Sequence, residues 1–159
     1  MKTLSSLLKI LAAFIFMFCI LPVLFIYLNY IFLAPVIDFP GATIIGYILL
    51  ALGLLMVIHC AYTVFFKPRQ ASPTPQKLVV DGLYRYVRNP MYLGDLIIYL
   101  AIFFLFGNLF LLVLFLLASV FIEVMVVKRE EPPLEKKFGA AYRSYFEKTP
   151  RWLPSFKQK

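Results

Sequence analysis

The chain has 159 residues, of which 62% are apolar, 18% aromatic and 15% charged, and its mean hydropathy is +0.86. A soluble domain is nearer half apolar and a quarter charged, so this composition excludes a soluble globular protein, and the length leaves no room for a separate soluble catalytic module. Sixteen Lys/Arg against eight Asp/Glu give a net charge of +8, and what that charge means depends on where it sits relative to the apolar spans.

The first charge-free run is Ile10–Ile37. Met1–Lys9 resembles the basic start of a signal peptide, but the run is long and has no small-x-small cleavage site. It is therefore expected to be a retained transmembrane helix over about 10–33. The Pro35–Gly41 turn, with Pro40-Gly41, separates it from a second run, Phe39–Phe66, expected to span at 42–66. On this second helix Gly46, Gly53 and Cys60 recur every seven residues, which lets a neighbouring helix approach closely. Cys19 and Cys60 form neither a disulfide framework nor a metal-spacing motif.

The third run, Leu96–Ile122, has 27 residues, long for one span and short for two. Charge decides between them. As a single span it would set the five Lys/Arg of the 67–90 loop against the nine of the 128–159 tail. As a hairpin turning at Gly107-Asn108 it puts all sixteen basic residues on one side and leaves only Asp38 on the other. Excess Lys/Arg marks the cytoplasmic face. The hairpin is preferred, with arms at 92–106 and 109–127, both termini cytoplasmic, and a first arm too short to cross without local thinning. The charge then marks topology and implies no nucleic-acid partner.

The 67–90 loop is Pro-spaced and carries an Asp81-Gly82 turn pair, and its tyrosines suit the headgroup level. In the tail, Pro132-Pro133 suits a helix start and Pro150 a stop. Between them Leu134, Phe138, Tyr142 and Tyr145 share a helical face. One amphipathic helix is expected there, lying on the bilayer or capping the bundle. The fold class is thus all-α integral membrane, with four transmembrane helices, the last two a hairpin, plus a C-terminal amphipathic helix, in a single domain over 1–159.

Ionisable residues in or near spans are functional candidates, because an ionised carboxylate at mid-membrane costs at least about 2.5 kcal/mol. Glu123 lies seven residues before Glu130 and is expected on the same face if the last helix continues. A local pair with Lys128 or Arg129 would explain it equally well. Asp95, one turn into its helix, suits a capping or pairing role. His59 has no second His, so no His-based metal site is expected.

The densest polar cluster is at the cytoplasmic ends of the hairpin arms. Arg88-Asn89-Pro90-Met91-Tyr92-Leu93-Gly94 enters one arm and Lys128-Arg129-Glu130-Glu131 leaves the other. Arg88 offers a planar fork for a carboxylate. The Pro90 start leaves free amides, Gly94 allows close backbone approach, and the Glu pair accepts from hydroxyls or a cation. A zwitterionic ligand with hydroxyls would suit the set. Interfacial arginine–glutamate pairing that only fixes topology would suit it too.

At these residues the chain resembles the isoprenylcysteine carboxyl methyltransferase family, related to the membrane phospholipid N-methyltransferases. The resemblance rests on Arg88-Asn89-Pro90-Met91-Tyr92-Leu93-Gly94, Glu130-Glu131-Pro132, Leu134, Phe138-Gly139, Tyr142, Tyr145 and Pro150-x-x-x-Pro154. It covers Leu78 to Pro154, about half the chain. It implies a membrane-embedded methyltransferase using S-adenosylmethionine, held in a cytoplasm-facing pocket of the last helices and tail, with a lipid-like acceptor entering from the bilayer. Carried over by position, Arg88, Asn89, Pro90, Tyr92, Gly94, Glu130 and Glu131 fall on the cofactor-site motif. Arg88 is expected to orient an anionic group and the Glu pair to receive the amine or ribose hydroxyls. Glu123, Tyr142 and Arg143 are expected toward the acceptor.

One departure matters: the family's His is Asn89 here. Asn can replace a hydrogen bond but cannot shuttle a proton near neutral pH. That favours an acceptor needing no deprotonation, such as a carboxylate. Other readings remain open at this point. A phospholipid amine N-methyltransferase is one. A sterol-reductase-like NADPH enzyme is another, for which Leu93-Gly94-Asp95-Leu96 speaks and the absence of a cysteine beyond Cys60 does not. A non-enzymatic membrane bundle is the third. The acceptor and the oligomeric state are not legible.

Overall fold

The computed structural model describes residues 12, 15–66 and 78–154. The expectations for Met1–Lys9, for the start of the first span and for the 67–77 part of the loop lie outside these residues. All regular elements among the described residues are helical.

Helix α1 (Phe16–Ile31) opens with a wide π-type turn, Phe16–Ile20. Pro22 stands at the start of the α-helical part, directly after that wide turn. Helix α2 (Ala42–Ala61) starts after Gly41, whose φ of +93° a side chain would resist, and runs on through a second wide turn, Tyr62–Phe66. A short 3₁₀ turn, Gly82–Arg85, leads to helix α3 (Pro90–Phe106). Gly107, at φ +61°, stops α3, and the Asn108 side chain accepts from Phe110 N at 3.2 Å to cap helix α4 (Leu109–Met125). A third wide turn, Val126–Glu130, joins α4 to α5 (Glu131–Phe138), and α6 (Ala140–Lys148) follows.

The closest helix pair is α2 on α3. A Cβ on Gly53 would lie 2.7 Å from the Ile98 side chain, and one on Gly46 would lie 2.8 Å from Leu105. The glycine stripe is thus what lets the two backbones meet. On its other side α3 packs on α4 and α1. Tyr99, Phe103, Leu111, Leu114 and Ala118 form the buried core, with Phe18, Leu21 and Phe25 against it. The Tyr99 hydroxyl donates to Met17 O at 2.7 Å, and its ring stacks on Phe18.

The two ends of the bundle differ in chemistry. At one end the outer turns meet: Ile37 N donates to Gly107 O at 2.6 Å and Val36 pairs with Asn108. At the other, Arg88 N donates to Pro150 O at 2.9 Å and the Tyr145 hydroxyl donates to Tyr84 O at 2.6 Å. Among the described residues every Lys and Arg lies between Arg85 and Arg151, in the segments of this second end. The sides of α1, α2 and α4 expose Val23, Tyr27, Leu55, Ile58, Leu116 and Val120, an apolar surface that suits lipid rather than water. Ala42–Val64 and Leu109–Phe138 are long and apolar enough to cross a membrane, while Phe16–Ile31 and Pro90–Phe106 are apolar but shorter.

Two expectations about the tail are corrected. The amphipathic segment is not one helix, because Gly139, at φ +51° and ψ −123°, breaks it into α5 and α6. Nor does Pro132-Pro133 begin a separate helix, since the helical path continues from α4 through the wide turn into Phe138. That turn also changes the register. It accommodates one residue more than a regular turn, so Glu131, rather than Glu130, comes round to the side of Glu123.

Candidate functional site

A cavity of about 250 Å³ opens at the charged end, between the α3 start, the α4–α5 joint and α6. Its polar lining is Arg88, Asn89, Glu130, Glu131 and Lys137. Its apolar and aromatic wall includes Leu78, Val79, Leu134, Phe138 and Tyr142.

Arg88 enters from the loop just before α3. Its side chain is only 9% exposed, and its Nη1 stands 3.3 Å from Glu131 Oε1. The guanidinium lies 3.7 Å above the Phe146 ring, which holds its plane against α6. Among the described residues, Arg88 Nε and Asn89 Nδ2 are buried donors with no hydrogen-bond partner. Such donors cost about 1–3 kcal/mol each when left unmet, so a site that keeps two of them beside a cavity is suited to an acceptor-rich ligand. Asn89 also precedes Pro90 at the helix start and makes no side-chain capping bond.

The two glutamates diverge. Glu130 accepts a hydrogen bond from the Tyr92 hydroxyl of α3. Glu131, 14% exposed, faces Arg88 and also takes two hydrogen bonds from Arg151, at 3.1 and 2.9 Å. Burial, above all, raises the Tyr84, Tyr142 and Tyr145 hydroxyls above their usual range. The neighbouring charge of Glu130 adds to this at Tyr84 and that of Glu131 at Tyr142. These phenols stay neutral and serve as hydrogen-bonding walls.

The residues singled out from sequence separate into groups. Arg88, Asn89, Glu130, Glu131 and Tyr142 line the cavity together, and Tyr92 reaches it through Glu130. Pro90 is buried at the helix start, and Gly94 lies in the α2–α3 contact against Gly53, Met56 and Val57. Arg143 is largely exposed and pairs with Glu135 at 2.8 Å. It lines a second hollow of about 360 Å³ with Glu131, Glu135, Phe146 and Glu147. Glu123 lines neither cavity and is bound by Arg151 and by Trp152 Nε1, the latter at 2.7 Å. His59 packs against Gly82, where a Cβ would come within 2.8 Å of its Nε2.

Sequence reading passed over Arg151, Trp152, Lys137 and Phe146. The first two lie between Pro150 and Pro154, so the proline pair was the available signal. Lys137 reads from sequence only as the polar side of a helix, and Phe146 carries no signal of its own.

A helical bundle with an apolar outer surface and a charged cavity at one end is that of an integral membrane protein. The sequence pattern of the family described as Phospholipid methyltransferase matches residues 42–141, and the chain belongs to that family. A curated relative, the Protein-S-isoprenylcysteine O-methyltransferase of Schizosaccharomyces pombe (strain 972 / ATCC 24843), is 38% identical over 77 residues. That stretch is 48% of this chain and 33% of the relative, so the chain is matched to about a third of the relative's length. The resemblance to isoprenylcysteine methyltransferases read from the motifs is therefore seen again over that stretch. No solved structure matches the chain.

Proposed function

We propose that this protein is an S-adenosylmethionine-dependent methyltransferase that acts on a lipid-like or isoprenoid-linked acceptor at the cytoplasmic membrane face, with carboxyl O-methylation favoured. The observation that carries the reading is the pair of buried, unmet donors, Arg88 Nε and Asn89 Nδ2, beside the acceptors Glu130 and Glu131 in one cavity.

The residues present fit the methyl donor. Arg88 and Asn89 would hold its carboxylate, Glu131 and Glu130 its ammonium and ribose hydroxyls, and Leu78, Val79, Leu134 and Phe138 the flat base. When bound, that group supplies a methyl on a sulfonium, open to in-line displacement. The chain's own contribution is orientation and exclusion of water. Asn89 holds a hydrogen bond without moving a proton, and a carboxylate acceptor requires none to be moved.

In this reading α1 to α4 are four spans, with both termini and the cavity cytoplasmic. Helix α3, with 17 residues, reaches only about 25 Å, so its charged start sits slightly inside the membrane plane. In this reading an acceptor's head meets the cavity while its tail stays in lipid.

A second reading, methylation of a lipid amine, has its own support. Glu131, Glu135 and Glu147 line the hollow beside the cavity, and carboxylates suit an ammonium head. One experiment separates the two: incubate membranes containing the protein with methyl-labelled S-adenosylmethionine, then extract lipid. Base-labile label released as methanol supports the ester, base-stable label supports the amine, and no label in lipid overturns both.

A further inference from the structure

Arg151 makes three side-chain hydrogen bonds, all to carboxylates. It lies in the strap after α6, 22% exposed, and its guanidinium spans two carboxylates. Nε and Nη2 reach the two oxygens of Glu131 at 3.1 and 2.9 Å, and Nη1 reaches Glu123 Oε1. Trp152 Nε1 takes the other oxygen of Glu123 at 2.7 Å, and Pro150 O accepts from Arg88 N at 2.9 Å. Three consecutive strap residues are thus tied to Arg88, Glu131 and Glu123, the first two of which line the cavity.

The two carboxylates flank the wide turn Val126–Glu130. A regular helix would advance about 100° per residue and swing Glu131 away from Glu123's side. The wide turn removes most of that swing, and the rigid fork of Arg151 fits only when both carboxylates face it. In that register Glu131 also reaches Arg88 and Glu130 reaches Tyr92. We propose that Arg151 is the positioning residue of the site: bridging Glu123 and Glu131, it holds the wide turn and so sets the two cavity glutamates against Arg88 and Tyr92. The role in cofactor binding rests on the proposed function, whereas the docking of the strap does not.

Trp152 is the chain's single tryptophan, so its emission reports strap docking with no ligand present. The full chain in detergent is compared with Arg151→Gln, Arg151→Lys and Glu123→Gln, first by Trp152 emission and thermal melting, then by calorimetric titration with S-adenosylmethionine. Arg151→Gln and Glu123→Gln are expected to shift Trp152 emission to longer wavelength with melting still cooperative. Arg151→Gln is expected to weaken S-adenosylmethionine binding about tenfold, the size of one charge-assisted hydrogen bond. Arg151→Lys, which keeps the charge but cannot span both carboxylates, is expected to follow Arg151→Gln. Unchanged emission in Arg151→Gln overturns the docking. Wild-type affinity in Arg151→Gln or in Arg151→Lys overturns the positioning role. If the wild-type protein does not bind S-adenosylmethionine, the proposed function fails, and the emission comparison alone upholds or overturns Arg151 as the residue that fixes the strap.

Discussion

Gly53 of α2 and Gly94 of α3 face each other across the tightest helix contact. A Cβ on Gly53 would lie 2.9 Å from Gly94 O, and one on Gly94 would lie 3.2 Å from Gly53 O. The opposing atoms are backbone, so neither helix can yield by turning a side chain. This contact fixes α3, and with it the cavity entrance at Arg88, against α2.

Gly53→Val is therefore expected to destabilise the protein by about 1–3 kcal/mol, the range for overpacking. The lipid-facing Leu117→Ala, at a side chain 56% exposed, is expected to stay within about 0.5 kcal/mol. Thermal melting in one detergent compares them.

Arg88→Ala is expected to spare the fold and damage the site. Glu131 keeps its two hydrogen bonds from Arg151 when Arg88 is removed. Affinity for S-adenosylmethionine should fall at least about tenfold, while the melting temperature changes little. Calorimetric titration beside melting curves tests both halves.

Asn89→Leu should move stability and binding in opposite directions. Its buried Nδ2 has no hydrogen-bond partner among the described residues and its side chain caps nothing. Removing an unmet donor is expected to stabilise the free protein by about 1 kcal/mol while weakening the methyl donor. Asn89→His, which restores a donor, should retain binding. Melting and titration on the same samples check the sign of each change.

Alkaline stability should depend on the tyrosine pair beside the cavity. Burial raises Tyr84 and Tyr145 in the folded protein, whereas the unfolded chain ionises each near its ordinary value of about 10. Folded phenols hold their protons longer, so their contribution is complete below about pH 10 and declines as pH rises beyond it. Tyr145→Phe, which also loses the 2.6 Å bond to Tyr84 O, is expected to cost about 1 kcal/mol near neutrality and to flatten that decline. Melting temperature against pH from 8 to about 11 is the measurement.

Topology has its own test. Cysteines placed at Asp38 and at Ser144 lie at opposite ends of the bundle and are both exposed. An impermeant thiol reagent applied to intact cells is expected to label position 38 and not 144. Equal labelling would contradict the proposed four-span arrangement.

Much of this protein was legible without coordinates. Charge-free runs and the turn signals at Pro40-Gly41 and Gly107-Asn108 locate helix limits, because apolar length and glycine conformation are local properties. The same holds for the glycine stripe of α2 and for the Arg88-Asn89 and Glu130-Glu131 motifs, which the fold brings to one cavity. What the sequence could not settle is register and long-range pairing. Seven-residue spacing put Glu123 with Glu130, and only the wide turn at Val126–Glu130 shows that Glu131 takes that place. Helical periodicity assumes a constant advance per residue, and one extra residue in a turn defeats it. Likewise Arg151 is an ordinary tail arginine until the chain folds back. Composition and spacing determined the class of protein and the membrane-facing surface. Tertiary structure alone decided which carboxylate meets which guanidinium, because those contacts join segments up to 43 residues apart through backbone paths that no local preference encodes.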